Sequence, residues 1–317
     1  MSSTSVPAAA LPAQEPTQKK AGPSDRSKAE TRLGQKLVAP AIILMLVVTA
    51  FPMLRALYLS TFDYALTAPD EREFVGLGNY LTALTDPLFW QTTGVTVLYM
   101  IVTVAVELVI GFIFAMVMHR VIFARGVIRT SILIPYGIIT VVSGFAWQFA
   151  FSFQNGFING WLPFIGADFN WFGETTPAVI AIMVSEIWKT TPFMSLLLLA
   201  GLAQVSEDMI EAAKVDGATW TQRLTKVILP NMRAAIMVAV LFRALDAYRI
   251  FDNIFVMTAG AQKTESISFL TYRQTIEQFQ LGLGSALSVL LFLSVLLVAF
   301  LIVKLFRVDL AQARQES

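Results

Sequence analysis

The chain has 317 residues, of which 56% are hydrophobic and only 14% charged, with a net charge of +1. Soluble domains carry about 25% charged residues, so the composition describes a chain dissolved in lipid. The small net charge gives no electrostatic footprint for a nucleic-acid partner. The absence of cysteine excludes disulfides, thiolate metal sites and cysteine nucleophiles, and the single histidine, His119, is too little for an imidazole cluster.

Residues 1–36 are rich in Ala, Pro, Ser, Thr and Lys without a periodic apolar face, which predicts a disordered N-terminal tail. The first apolar run begins at Leu37 and is long enough to span, so it is expected to stay in the mature chain rather than leave as a signal peptide. Six apolar segments follow: 37–59, 94–118, 127–151, 178–201, 234–257 and 284–305. At about 20 residues per crossing each can traverse a bilayer, so the prediction is an all-α membrane protein with six transmembrane helices within residues 37–305.

Basic residues are retained on the cytoplasmic side. They cluster in the tail (Lys19, Lys20, Arg26, Lys28, Arg32, Lys36), between segments two and three (Arg120, Arg125, Arg129), between four and five (Lys214, Arg223, Lys226, Arg233) and at the end (Lys304, Arg307, Arg314). The other connections carry only Arg72, Lys263 and Arg273. Both termini, 1–36 and 306–317, are therefore expected in the cytoplasm. On the opposite side, residues 60–93 are acidic. Residues 152–177 carry Trp161 and Trp171 where interfacial aromatics belong and are compatible with a short surface helix.

The connection between segments four and five, residues 202–233, is far longer than a turn requires, and long loops usually have a task. Ser206 with Glu207 and Asp208 suits a helix start, and Met209 to Val215 continue it. Gly217 allows a turn, Ala218 to Val227 suit a second short helix, and Pro230 redirects the chain.

Glu211-Ala212-Ala213, Gly217 and Leu229-Pro230 together resemble the EAA loop of permease subunits of ATP-binding-cassette (ABC) importers, with Val227 a mild departure where the pattern has isoleucine. The resemblance implies that Glu211, Ala212, Ala213, Gly217 and Pro230 couple the chain to a cytoplasmic ATPase. Phe74 to Tyr80 is similar to an external FxGLxNY segment of the sugar-importing branch with its MetI-like core, and Leu281 to Ala286 opens the sixth segment as it does there. Thr258-Ala259-Gly260-Ala261 departs from the usual TxGGP, which puts the local turn in question. Trp188 to Phe193 and Arg243 to Asn253 look most like trehalose-carrying members.

The implied protein pairs with a second homologous permease and two ABC ATPase subunits. It receives a disaccharide, trehalose first, from an extracytoplasmic sugar-binding lipoprotein and resides in the bacterial inner (plasma) membrane. It would bind no cofactor and be no enzyme, ATP and Mg²⁺ residing on the ATPases. The GxxxxGK[ST] phosphate loop is absent from the chain. Another oligosaccharide or glycerol phosphate stands as the alternative cargo. An ion-coupled secondary transporter is a further alternative, but it leaves the EAA loop unexplained.

Ionisable residues inside a bilayer cost about 2.5–3.5 kcal/mol each and normally face a partner or a water-filled path. Glu186 and Lys189 lie about 12–17 Å from one end of their segment, and Arg243 and Asp246 about 13–18 Å from the other, so all four share a depth. The spacing of three puts each pair on one helix face, which Arg249 and Asn253 extend on the fifth segment and Thr190, Pro192 and Phe193 on the fourth. Two readings stand: mutually neutralising pairs, or the lining of a sugar path in which polar groups meet hydroxyls and an aromatic face covers the ring. In the related maltose permease, the positions matching Glu186, Lys189, Thr190, Phe193, Arg243, Asp246 and Ala247 contact sugar, though with mostly uncharged or aromatic residue types. Glu107 stands alone in the second segment and is expected to meet a polar group of another helix, while His119 beside Arg120 suits a helix C-terminus.

Overall fold

The computed structural model describes residues 25–120, 124–162 and 169–306, with the side chains of 25–31 and of Arg125 left aside. The expected tails therefore fall largely outside the described residues. The described chain divides into two units, one up to Leu54 and one from Arg55 onward.

The first unit is helical. Helix α1 (Asp25–Met45) runs through a π-helical stretch, Leu46–Ala50, into α2 (Phe51–Leu59), whose end belongs to the second unit. Helical structure thus begins at Asp25, inside the stretch predicted to be disordered. The apolar span itself covers Arg32–Leu59.

In the second unit a small hairpin, β1 (Phe62–Asp63) against β2 (Glu73–Phe74), is followed by α3 (Gly78–Thr85). Asn79 ties the FxGLxNY-like segment down by donating from Nδ2 to the carbonyls of Ser60 (2.9 Å) and Phe62 (2.8 Å). Helix α4 (Pro87–Arg120) starts earlier than its apolar segment, because the Asp86 carboxylate accepts from the Leu88 amide at 2.8 Å.

The third segment is not one helix. It forms α5 (Arg125–Gly137) and α6 (Thr140–Ala150), bent by 88°. Pro135 and Gly137 close α5 and Ile138 is extended, which redirects the chain. The short helix expected between segments three and four exists as α7 (Ile158–Trp161). Trp161 is exposed as anticipated, but Trp171 is buried against Phe151 and Phe169, its indole donating to Asn159 Oδ1 at 2.7 Å.

Helix α8 (Thr175–Leu202) is a continuous apolar helix and packs most extensively against α4. Small residues permit the approach: a side chain at Gly111 would come within 2.9 Å of Met194 and 3.2 Å of the Ser195 amide. The long connection folds into α9 (Glu207–Val215), α10 (Trp220–Arg223), a π-helical stretch Leu224–Ile228, and α11 (Leu229–Asn231). The α9 start lacks the expected side-chain bond from Ser206; the capping side chain lies instead at α10, where Thr219 and Gln222 form a reciprocal capping box.

The fifth segment bends by 70° relative to the end of the long connection and is itself interrupted, giving α12 (Arg233–Ala247) and α13 (Asp252–Met257). The Ile250 carbonyl exposed by this break accepts from Ser266 Oγ at 2.7 Å, and the same oxygen caps α14 (Ile267–Tyr272). Between α13 and α14, Ala259, Gly260, Gln262 and Lys263 all have positive φ. Gln262 occupies the position where TxGGP has proline, and its φ of 56° is closed to a pyrrolidine ring, so this turn differs from the family pattern. Helix α15 (Leu281–Phe306) completes the unit. Among the described residues, four continuous helices, or six crossings when each bent pair counts as one, are long and apolar enough to span a membrane.

Candidate functional site

The site is organised around one cation. Arg243 on α12 is fully buried and donates to three carboxylates. Its Nε meets Glu107 at 2.6 Å and its Nη2 meets the other Glu107 oxygen at 2.8 Å. Nη2 also reaches Glu186 at 3.4 Å and Thr190 Oγ1 at 3.0 Å, while Nη1 holds Asp246. Thr190 donates to Glu107 at 2.8 Å, and Asn253 of α13 donates to the second Glu186 oxygen at 2.7 Å. Helices α4, α8, α12 and α13 are thereby joined through one side-chain network.

This arrangement corrects the pairing expected from spacing. Glu186 does not neutralise Lys189 across one turn; it turns to Arg243 and Asn253 on other helices. Lys189 is buried to 7% exposure and has no hydrogen-bond or ion-pair partner among the described residues. Its ammonium instead sits 5.6 Å from the Tyr136 ring, on which Phe193 stacks at 5.3 Å. Glu107 does meet a polar partner on another helix, as the lone charge in its segment suggested.

In front of the network lies an open cleft of about 420 Å³, within the usual range for small-ligand sites. Glu186, Lys189, Thr190 and Asp246 line it together with Tyr136, Thr140, Arg249, Asp252 and Asn253. Asp246 is the most accessible of the charged predicted residues, with 63% of its side chain exposed. Phe193 reaches the cleft by backing Tyr136. Arg243 and Ala247 do not line it: both are buried behind it, so the structure removes them from direct contact with the cleft. Tyr136 and Thr140 lay outside the expected set; the Pro135-Tyr136-Gly137 sequence signals only a break in the helix.

The residues of the loop resembling the EAA pattern form a separate surface. Glu211, Ala212, Gly217 and Pro230 are exposed and Ala213 half-exposed, beside apolar Met209, Val215 and Trp220, which also reach solvent. Gly217 adopts φ +80°, the left-handed region that favours glycine, with no atom near the place of a missing Cβ. Beneath this surface, His119 and Arg120 at the end of α4 face Glu207, Glu211 and Trp220 across a cavity of about 490 Å³.

The helical unit thus carries bent third and fifth spans, a buried ionic hub joining four helices and an exposed helical loop. The chain belongs to the family described as binding-protein-dependent transport system inner membrane component, which matches residues 107–311. It is 49% identical over 278 residues to the trehalose transport system permease protein SugA of Mycobacterium tuberculosis, covering 88% of this chain and 90% of that protein. It is 37% identical to the trehalose/maltose transport system permease protein MalF of Thermococcus litoralis, covering 87% and 93%. A bacterial ABC transporter chain involved in import of the acidic polysaccharide alginate superposes with a TM-score of 0.75 at 20% identity, over 89% of this chain and 97% of that one. The fold is thus that of ABC importer permeases.

Proposed function

We propose that this chain is the permease subunit through which an ABC importer carries a disaccharide, trehalose first, across the inner membrane. The observation that carries the reading is the polar cleft with an aromatic wall, set at the depth of four buried charges and connected by a single helix, α12, to the exposed coupling loop. Lys189, Glu186, Thr190 and Asp246 offer donors and acceptors to sugar hydroxyls, and Tyr136 backed by Phe193 offers a flat face to the ring. Arg243 and Ala247 act behind this surface, Arg243 by holding the carboxylates in place. The names of the trehalose-carrying relatives support the choice of sugar.

In this reading both termini lie in the cytoplasm and residues 306–317 form a cytoplasmic tail. Residues 1–36 form the cytoplasmic N-terminal tail, helical from Asp25 onward. A second homologous permease completes the path, since one chain leaves the cleft open on one side. Two ATPase subunits, which hold ATP and Mg²⁺, dock on Glu211, Ala212, Ala213 and Gly217, and an extracytoplasmic lipoprotein delivers the sugar. Because Lys189 is unpaired and Arg249 is exposed at the cleft, glycerol phosphate is a second reading with its own support.

The test is ATP hydrolysis by the reconstituted complex with its binding protein, comparing trehalose, maltose and glycerol phosphate. Stimulation by trehalose alone, lost in Gly217→Pro, is expected. Lys189→Ala and Asp246→Ala should each abolish uptake while the complex still assembles; normal uptake in both would remove the cleft from the path.

A further inference from the structure

The two halves of the broken fifth span meet on one carboxylate. Arg243 of α12 reaches Glu186 Oε1 at 3.4 Å, and Asn253 of α13 donates from Nδ2 to Glu186 Oε2 at 2.7 Å, so each oxygen is held from a different side of the break. The two holds are unequal. Arg243 Nη2 is long to Glu186 and shared with closer acceptors, Glu107 at 2.8 Å and Thr190 at 3.0 Å, whereas the Asn253 contact is short and charge-assisted. An ionised carboxylate offers about four lone-pair directions, so two remain after these bonds. Glu186 lines the polar cleft, and which way those two point is set chiefly by Asn253.

The other end of the same amide is the second observation. Asn253 is 1% exposed, and its Oδ1 is buried and accepts no hydrogen bond among the described residues. That oxygen lies against α6, where a side chain at Gly144 would come within 3.4 Å of it. An unpaired buried carbonyl is destabilising, so packing alone would favour an apolar residue at this position. Turning the amide over gives no relief, because Oδ1 would then face the Glu186 carboxylate, acceptor against acceptor. What offsets the orphaned oxygen is the donor at the opposite end. We propose that Asn253 is a positioning residue, which fixes the Glu186 carboxylate so that its free lone pairs accept sugar hydroxyls in the cleft. The proposal rests on the reading of the cleft as the sugar path, and in it Asn253 acts through Glu186 rather than by holding sugar itself.

The experiment measures trehalose uptake by proteoliposomes of the assembled complex at saturating sugar-loaded binding protein. Alongside it, isotope-edited infrared spectra of the same complex follow the Glu186 carboxylate stretch, assigned by its disappearance in Glu186→Gln. Asn253→Ala should lower uptake about tenfold, the loss of one hydrogen bond to a charged group, and shift the carboxylate band. Asn253→Asp keeps the shape but replaces the donor by an acid, so it should lose at least as much. On a Glu186→Ala background, Asn253→Ala should cost nothing further; where that background has no residual uptake, the band shift and Asn253→Asp decide. Full uptake in Asn253→Asp, losses that multiply in the double variant, or an unmoved carboxylate band in Asn253→Ala would each overturn the proposal. If Asn253→Ala fails to assemble, Asn253→Ser, too short to reach the carboxylate, takes its place. A wild-type complex that takes up no trehalose would sink the transport reading, while the infrared band would still report on Asn253 and Glu186.

Discussion

Removing the Glu107 carboxylate isolates the contribution of the buried hub. Glu107→Ala deletes both charge-assisted bonds to Arg243, at 2.6 and 2.8 Å, and the acceptor for Thr190 at 2.8 Å. Arg243 has no exposed surface through which water could replace them. An interhelical hydrogen bond within a membrane averages about 0.6 kcal/mol and reaches about 1.7 kcal/mol at most. Stripping one partner from a buried ion pair costs about 3–5 kcal/mol, because the remaining charge stays desolvated. Glu186 and Asp246 remain beside Arg243 and hold the loss to the lower part of that range, about 3 kcal/mol, or about two orders of magnitude in the unfolding equilibrium. The assay is equilibrium unfolding in mixed dodecyl maltoside and dodecyl sulfate micelles, for wild type, Glu107→Ala, Arg243→Ala and the double variant. A strong positive coupling is expected, the double variant losing much less than the sum of the singles. A loss below about 1 kcal/mol for Glu107→Ala would place the pair among ordinary membrane hydrogen bonds and refute the hub.

Three further outcomes follow from the same geometry. Gly217→Val forces a β-branched residue to φ +80° with no neighbouring atom in the way, so a strain of about 1–2 kcal/mol stays within the turn while coupling to the ATPase falls, read as lost stimulation of ATP hydrolysis. Gly282→Ala would bring its Cβ to 2.1 Å from the Phe62 carbonyl, so hairpin and α15 must part; faster proteolysis of residues 60–80 is expected, and unchanged resistance would contradict the packing. Glu265, buried beside Arg273 at 3.0 Å outside the spanning segments, has its carboxyl pushed above the ordinary range, chiefly by burial. For a raised acid the folded state favours the proton, so the associated stability is complete below the ordinary carboxylate range and is lost as pH rises through the raised value. Glu265→Gln should therefore flatten the pH dependence of thermal unfolding, and an unaltered profile would discount this residue.

The sequence carried the spans well because a bilayer demands long apolar runs, a signal that needs no tertiary knowledge. It carried the break after α5 in part, since Pro135 and Gly137 lie there. The break between α12 and α13 had no such marker: Tyr248 to Phe251 contain neither proline nor glycine, and the interruption is stabilised by Ser266, distant in sequence. The site shows the same division. Spacing put Glu186, Lys189, Arg243 and Asp246 at one depth, but which charge answers which is a matter of helix packing. A local Glu186 and Lys189 pairing lost to Arg243, which reaches Glu107 across 136 positions of sequence. Local rules also missed Tyr136, because its neighbours announce a bend and its role depends on Phe193 of α8.

The discontinuity of the fifth span sets a mechanical condition. Helix α12 has 15 residues, about 22 Å of rod, bounded by Met232 at the end of the long connection and by Tyr248 at the break. A tilt of about 10° about one end of this rod would move the other by about 4 Å, more than a hydrogen bond can stretch. Arg243, two-thirds of the way along, cannot keep all its bonds through such a swing unless α4 and α8 move with it. With three carboxylates around a single guanidinium, it can exchange one for another without ever being left alone in the bilayer. A helix that tilts would thus find an acid for this guanidinium in more than one position.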